Sequence, residues 1–332
     1  MKCAVLYDVG DIRIEERAVP EIGEGELLVQ TRASGICSGD VMAWYVRRKA
    51  PLVFGHEPAG VVASVGPGEA PRDGAGAPFA PGDRVFVHHH APCFACAACA
   101  REDYVQCEQW RTSRIDPGGM AEYFRVPRQN VLDTLRLPDA VSFEDASLVE
   151  PLACVVKSLR RGGVRAGDAV HVMGLGVMGQ LHVLAARALG ARVFASDFNA
   201  ERRALAEKNG ATSAHPERAE TGADVVICGP GTPEALRAAL GLVRPGGTVV
   251  MFTPLDPNAT FAVDAESFYF KDLRLVASYS CGPNDTREAL RLIASGVVTG
   301  RNVGAVTFAL DDVGEAHGAL AEARITKPIV VF

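Results

Sequence analysis

The sequence predicts an α/β chain of two domains, one rich in β-strands and one built on a parallel sheet. Three observations carry that reading. With 332 residues, 48% hydrophobic and 22% charged, the chain can bury two cores and has an ordinary globular composition. Up to about residue 150 it runs as short, β-branched segments broken by glycine and proline. Beyond that point strands alternate with helical stretches of about 10–15 residues, the pattern of βαβ units.

The elements follow in order. AVLYDVGDIRIEERAVP, GELLVQTRASGIC and AGVVASVG read as strands and turns. The Gly/Ala/Pro-rich stretch 68–84 is expected to be an exposed, mobile loop without a function. DRVFVHHH returns as a strand, and its alternation sends His88, His89 and His90 to different faces, which disfavours a shared metal site. DAVHVMGLGVMGQLHVLAARALGA is strand, glycine turn and helix. ARVFASD, ADVVICG, GGTVVMF and LRLVASYS supply further strands, and ERRALAEKNGA and PEALRAALGLV the helices between them. The tail, TREALRLIASG and VGAVTFALDDVGEAHGALAEA, resumes a mixed pattern and is expected to pack back on the first domain.

Charge and composition exclude several classes. A net charge of −6 argues against a nucleic-acid partner, and Arg47-Arg48-Lys49 reads as a solvated loop. No apolar run reaches the roughly 18 residues of a membrane helix, and no signal-peptide pattern opens the chain, so a cytoplasmic protein is expected.

Four of the nine cysteines lie in PCFACAACAREDYVQC: Cys93, Cys96, Cys99 and Cys107. An odd cysteine count in a cytosolic chain points to metal or redox chemistry rather than disulfides. An iron–sulfur site would prefer a shorter last gap followed by proline, whereas Glu108 follows here. Four thiolates suit closed tetrahedral zinc, which braces the fold and has no position for a substrate.

GLGVMG places Gly174, Gly176 and Gly179, with Val177 and Met178 between them, after a buried strand and at the start of a long helix. In that context the motif is a dinucleotide-binding Rossmann fingerprint. Asp197 closes the next strand, where a carboxylate accepts from a ribose diol and repels a 2′-phosphate, so NAD is favoured over NADP. Arg202 lies close enough in sequence to cover the adenine or ribose. A third group of signals is Cys37 in GICSGD, His56-Glu57 after a glycine, and Glu150 in VEPLAC. One thiolate, one imidazole and one or two carboxylates can hold zinc and leave a position open.

Taken together, Cys37 with Asp40, Gly55-His56-Glu57, the four-cysteine loop, Glu150-Pro151 and GLGVMG occur in an order that resembles the zinc-dependent medium-chain dehydrogenases. The resemblance is nearest to the polyol (sorbitol-type) and threonine dehydrogenase branch and spans nearly the whole chain. It implies a GroES-like catalytic domain over 1–150, completed by 284–332, around a Rossmann NAD-binding domain over 151–283. It also implies two zincs per chain and a homodimer or homotetramer. By the same resemblance, Cys37 and His56 are catalytic-zinc ligands, Glu57 and Glu150 add oxygen ligation directly or through water, and Asp40 holds the far nitrogen of His56. The implied reaction is hydride transfer between a small secondary alcohol (a polyol, sugar alcohol or amino alcohol) and NAD. A biosynthetic ketone or aldehyde reductase would share the same sites. A non-catalytic zinc- and nucleotide-binding regulator would have no use for an open zinc position.

One departure stands out. Relatives usually carry a hydroxyl two residues after the zinc-binding cysteine, to relay the alcohol's proton; this chain has Gly39 there. Ser38, a water held by Glu57 or Glu150, or a second hydroxyl of the substrate could take that role. Trp44, Tyr45 and Phe268 are candidate pocket walls. Cys3, Cys154, Cys228 and Cys281 belong to neither site and read as small hydrophobes.

Overall fold

The structure is a computed structural model that describes residues 1–215 and 222–332. The chain divides into two compact units, 1–153 with 281–332, and 154–280.

In the first unit Leu27–Gly35 is the central strand. Its first six residues alternate between the core and half-exposed positions, the period-2 pattern of a sheet with one covered face, and its last three are all buried. It pairs antiparallel with Pro58–Val65, with Tyr123–Val126 and, near its C-terminal end, with Lys327–Val331. Arg84–Val87, Thr134–Arg136 and Ala305–Ala309 complete a seven-stranded sheet. The register puts Ser34 opposite Pro58 and Gly35 opposite Ile329, so the residues just before Pro58 and Ile329 meet at one corner. A smaller sheet joins Lys2–Asp8 to Asp11–Glu16 and Leu52–Val53.

The stretch 68–84 is mostly exposed, as its composition suggests, but it is anchored at two points. Phe79 is buried in the core with Val62, Val85 and Phe124, and Asp73 accepts from the backbone of Ala75 and Ala77 and from Arg136. One aromatic anchor and one Asx turn hold a segment that looks like a linker.

The second unit is a six-stranded parallel sheet. Its order is Ser213–His215, Arg192–Ser196, Ala169–Met173, Ala223–Cys228, Val243–Met251 and Arg274–Ala277. Counting from the first strand in sequence, this is the 3-2-1-4-5-6 order of a doubly wound dinucleotide-binding sheet. Helices Val177–Ala188, Ala200–Lys208 and Pro233–Leu242 connect the strands. Thr232 caps the last of these by accepting from Ala235 N, with Pro233 at its first position. Phe268 packs on the core of this unit beside Leu236 and Val249.

Candidate functional site

The four-cysteine loop closes on itself. The sulfurs of Cys93, Cys96, Cys99 and Cys107 all lie within 4.8 Å of one another, and none is in a disulfide. Two of the separations are 3.5 Å (Cys96–Cys99) and 3.8 Å (Cys93–Cys99). Tetrahedral zinc with Zn–S near 2.3 Å needs edges of about 3.8 Å, so the donor set fits that ion. Backbone N–H groups of Ala95 and Cys96 lower the Cys93 thiol to about 6. Burial pushes Cys99 up to about 12, helped by its neighbouring thiols. Crowded sulfurs of such different acidity are what a dication evens out, by holding all of them as thiolates.

A second set gathers from distant elements. Cys37 follows Leu27–Gly35 as the N-cap of the turn Ser38–Val41, and the Gly39 N–H points at its sulfur at 3.3 Å. The Asp40 carboxylate accepts from the Cys37 N–H at 3.2 Å, and the buried His317 ring holds the Asp40 carbonyl at 2.9 Å. Ligand atoms of Cys37, His56 and Glu57 lie within 4.8 Å of one another. Burial opposes a charge on His56, yet Cys37, Asp40 and Glu150 together hold its pKa well above the usual value. The pocket is therefore negative and favours a cation.

Glu57 is fully buried. Burial raises its pKa, while Lys327 and His56 pull the other way. Its Oε2 pairs with Lys327 Nζ, which also donates to the Ile36 carbonyl at 3.2 Å. Among the described residues its Oε1 has no hydrogen-bond partner. A buried carboxylate oxygen without a donor costs on the order of 1–3 kcal/mol or more unless a cation takes it, and this orphan fits a metal beside Cys37 and His56. Gly35 makes the arrangement possible, because a Cβ there would lie 1.9 Å from Glu57 Oε2 and 2.7 Å from Lys327 Nζ. The sequence reading missed Lys327. Only the pairing of Lys327–Val331 with Leu27–Gly35 reveals it.

Other expected residues have different surroundings. Among the described residues no hydrogen bond joins Asp40 to His56; the carboxylate closes the Cys37 turn and reaches the ring only through its charge. Glu150, 5% exposed at the start of helix Val149–Gly162, stands outside the Cys37–His56–Glu57 triplet but acts on His56 and Glu57 electrostatically. Ser38 is exposed. The three adjacent histidines have separate surroundings. His88 pairs with Asp133 at 2.6 Å, His90 bonds the Ser113 carbonyl at 2.5 Å, and the His89 ring lies 5.0 Å from that of His56. Cys281 is not a plain apolar filler: its sulfur lies 3.6 Å from His88 Nε2.

In the second unit the glycine turn has the geometry a dinucleotide needs. Gly174 has φ +82°, which favours glycine. A Cβ at Gly176 would meet nothing within 4 Å, leaving the helix N-terminus open to a pyrophosphate. A Cβ at Gly179 would lie 2.0 Å from the Gly174 carbonyl, so helix and strand close up only without it. Val177 is buried, and the Met178 carbonyl is bonded to His182 Nδ1 at 2.7 Å. Asp197 accepts from Leu175 N at 2.6 Å and Asn199 N at 2.8 Å, which fixes its carboxylate beside the turn. The Arg202 backbone N–H donates to Asn199 Oδ1 and its carbonyl accepts from Gln180.

Residues 23–139 match the alcohol dehydrogenase GroES-like domain, and residues 177–295 match the zinc-binding dehydrogenase domain. A protein of Aspergillus clavatus named as a D-xylulose reductase A is 30% identical over 98% of this chain and 94% of its own length. The sorbitol dehydrogenase of Bacillus subtilis is 29% identical over 95% of this chain and 92% of its own. Among solved structures, a zinc-binding dehydrogenase of Sinorhizobium meliloti bound to NADP superposes with TM-score 0.87. It is 29% identical and covers 100% of this chain and 99% of its own. The alcohol dehydrogenase TADH of Thermus sp. ATN1 gives TM-score 0.86 at 27% identity, with the same coverage.

Proposed function

The chain belongs to the zinc-dependent medium-chain dehydrogenase family and is an NAD(P)-linked alcohol dehydrogenase, and on that premise we propose that it interconverts a small polyol and its ketone at Cys37, His56 and Glu57. The observation that carries the reading is the unpartnered Glu57 Oε1 in a negative pocket with one sulfur and one imidazole. When bound there, zinc supplies Lewis-acid polarisation of the substrate oxygen and the nicotinamide cofactor supplies the hydride chemistry. The protein's part is to hold and orient. His317 and the Asp40 carboxylate fix the turn that presents Cys37, and Lys327 fixes Glu57. Glu150 adds negative charge and a second oxygen donor near His56.

The polyol class rests on the relatives named for xylulose and sorbitol. NAD rather than NADP rests on the Asp197 carboxylate, although the Sinorhizobium protein binds NADP. The 93–107 loop is read as structural zinc. A homodimer or homotetramer is supported by an edge strand, Arg274–Ala277, that follows a helix exposing Tyr269 and Phe270 by 76% and 78%. A cytoplasmic location rests on nine cysteines of which none is in a disulfide. Among the described residues no helix is long and apolar enough to cross a membrane.

The test is zinc content together with a screen of NAD and NADP reduction over polyols, secondary alcohols, cyclitols and β-hydroxy amino acids. Two zincs per chain and NAD turnover on a polyol are expected. Turnover confined to simple monoalcohols would remove the polyol reading, and no turnover at all would remove the catalytic one.

A further inference from the structure

Gly39 leaves this site without a side-chain hydroxyl where relatives carry one. The residues that border the gap are Tyr45 and Lys49, four apart in YVRRK and therefore on one side of a helical turn. Tyr45 lies in the short helix Ala43–Val46, and the turn continues through Lys49 N to the Val46 carbonyl at 2.9 Å. Lys49 Nζ donates to the Tyr45 hydroxyl and sits 3.8 Å above the ring centroid. A Cβ built on Gly39 would lie 3.6 Å from Cys37 Sγ and 3.6 Å from Tyr45 Cε1. The aromatic edge thus borders the space that the side chain of residue 39 would use, on the side of the zinc-binding sulfur.

Lys49 connects this spot to solvent. It is exposed at the surface. Crowding by the protein nevertheless lowers its pKa from 10.5, with Arg114 acting in the same sense and Asp40 and Cys37 opposing. His89 and His90 feel its charge and are held neutral by burial. The run read as a solvated basic loop therefore places one of its three cations against the site.

We propose that Tyr45 and Lys49 form the proton relay of this enzyme, in place of the hydroxyl that Gly39 lacks. The proposal rests on the alcohol dehydrogenase reading above. In oxidation the substrate O–H bond breaks as a bond to Tyr45 Oη forms. The phenolic proton of Tyr45 passes to Lys49 Nζ in its amine form, and the resulting ammonium releases it to water. The C–H hydrogen leaves with its electron pair for the oxidised cofactor. A carbonyl, a reduced cofactor and one solvent proton balance the alcohol and the oxidised cofactor. In reduction each transfer runs backwards. Exposed Ser38 is a bystander in this scheme.

The test compares Tyr45→Phe, Lys49→Ala and the double variant Tyr45→Phe/Gly39→Ser with the wild type, all zinc-loaded. Tyr45→Phe should lose at least about 100-fold in kcat, the lower end of what a positioned acid–base group contributes, with zinc content and NADH binding unchanged. Adding Gly39→Ser should restore at least about tenfold, since the space at residue 39 accepts a Cβ in ordinary contact. Ethylamine in the buffer should likewise restore Lys49→Ala, which a purely structural lysine would not allow. A readout free of activity is the pH dependence of Lys49 acetylation in the zinc-free protein, with a midpoint expected below 10.5. A Tyr45→Phe variant within about threefold of wild type overturns the relay, as does a Lys49 midpoint at or above that value. If Tyr45→Phe fails to fold, amine rescue of Lys49→Ala decides. A wild type without turnover on any alcohol overturns the dehydrogenase reading itself, whereas an active wild type with a silent Tyr45→Phe overturns the relay alone.

Discussion

Two regions of this chain gather metal-ligating side chains on opposite plans. The 93–107 loop takes all four from one short stretch, and every donor is a sulfur. Backbone N–H groups donate to its sulfurs, and among the described residues no carboxylate joins the group. The Cys37–His56–Glu57 set takes its donors from separate segments of chain, and a lysine from the far C-terminal strand steadies one of them. It mixes sulfur, nitrogen and oxygen, surrounds them with negative charge, and leaves one buried oxygen without a donor. Four like donors from one stretch suit a closed tetrahedral ion, whereas a mixed set assembled across the fold suits an ion with a position left open, which is the contrast the proposed function draws on.

The comparison predicts that damage to the two regions separates activity from stability. His56→Ala should lower kcat/KM by at least about a thousandfold, some 4 kcal/mol of transition-state stabilisation, while the folded protein keeps the zinc of the loop. Steady-state assays alongside zinc analysis check it. Loss of both zincs, or turnover near wild type, would break the contrast.

Cys99→Ser should do the reverse. Removing one thiolate from a closed site forfeits metal-linked folding energy, so the thermal midpoint should fall by on the order of 10 °C while molecules that stay folded retain kcat. Acid should act in the same sense. Zinc competes with protons for the thiolates, so occupancy of the loop is expected to fade as pH falls. Calorimetry and zinc release against pH measure both effects. A Cys99→Ser protein that melts normally with full zinc would show that the loop does not brace.

How much of this was legible in the sequence follows the same division. Donors close in sequence declare themselves by spacing, as the four cysteines and the three glycines do. Cys37 and His56-Glu57 could be picked out, but their meeting depends on strands that pair across the domain. Lys327 gave no local signal: 270 residues separate it from Glu57, and only sheet register joins them. His88, Asp133 and Cys281 are likewise brought together by tertiary packing alone. Asp40 was expected to hold the His56 ring, but its carboxylate accepts from the Cys37 backbone, because a carboxylate three residues on closes a tight turn more readily than it reaches a ring. Tyr45 and Lys49 were legible as an i, i+4 pair, and the charge run around them hid it.

Lys327 sharpens the comparison from the open side. Lys327→Met removes the partner of a fully buried carboxylate, which typically costs about 3–5 kcal/mol when nothing replaces it. Zinc at Glu57 Oε1 would offset part of that, so the loss should be smaller in zinc-loaded protein than after chelation. Denaturant unfolding with and without chelator measures the gap. Equal losses in the two states would mean that Glu57 does not face the metal.

The smallest effect lies in the second unit, where the question is selectivity between two cofactors rather than occupancy. The Asp197 carboxylate is fixed by the N–H groups of Leu175 and Asn199, so its charge stands beside the glycine turn with little freedom to move. A 2′-phosphate brought there would meet a like charge, while a ribose diol would meet an acceptor. Arg203 Nη1 donates to the carbonyls of Asp197 and Phe198. Asp197→Ser keeps a short polar side chain but removes the charge and one acceptor oxygen. The ratio of kcat/KM for NADP to that for NAD should therefore rise by about tenfold, or roughly 1.4 kcal/mol, with the gain on NADP accompanied by a loss on NAD from the missing diol contact. Paired assays at one ionic strength, with both cofactors titrated, measure it. A wild type that already prefers NADP, or a variant whose ratio does not move, would show that cofactor choice is made elsewhere on the turn.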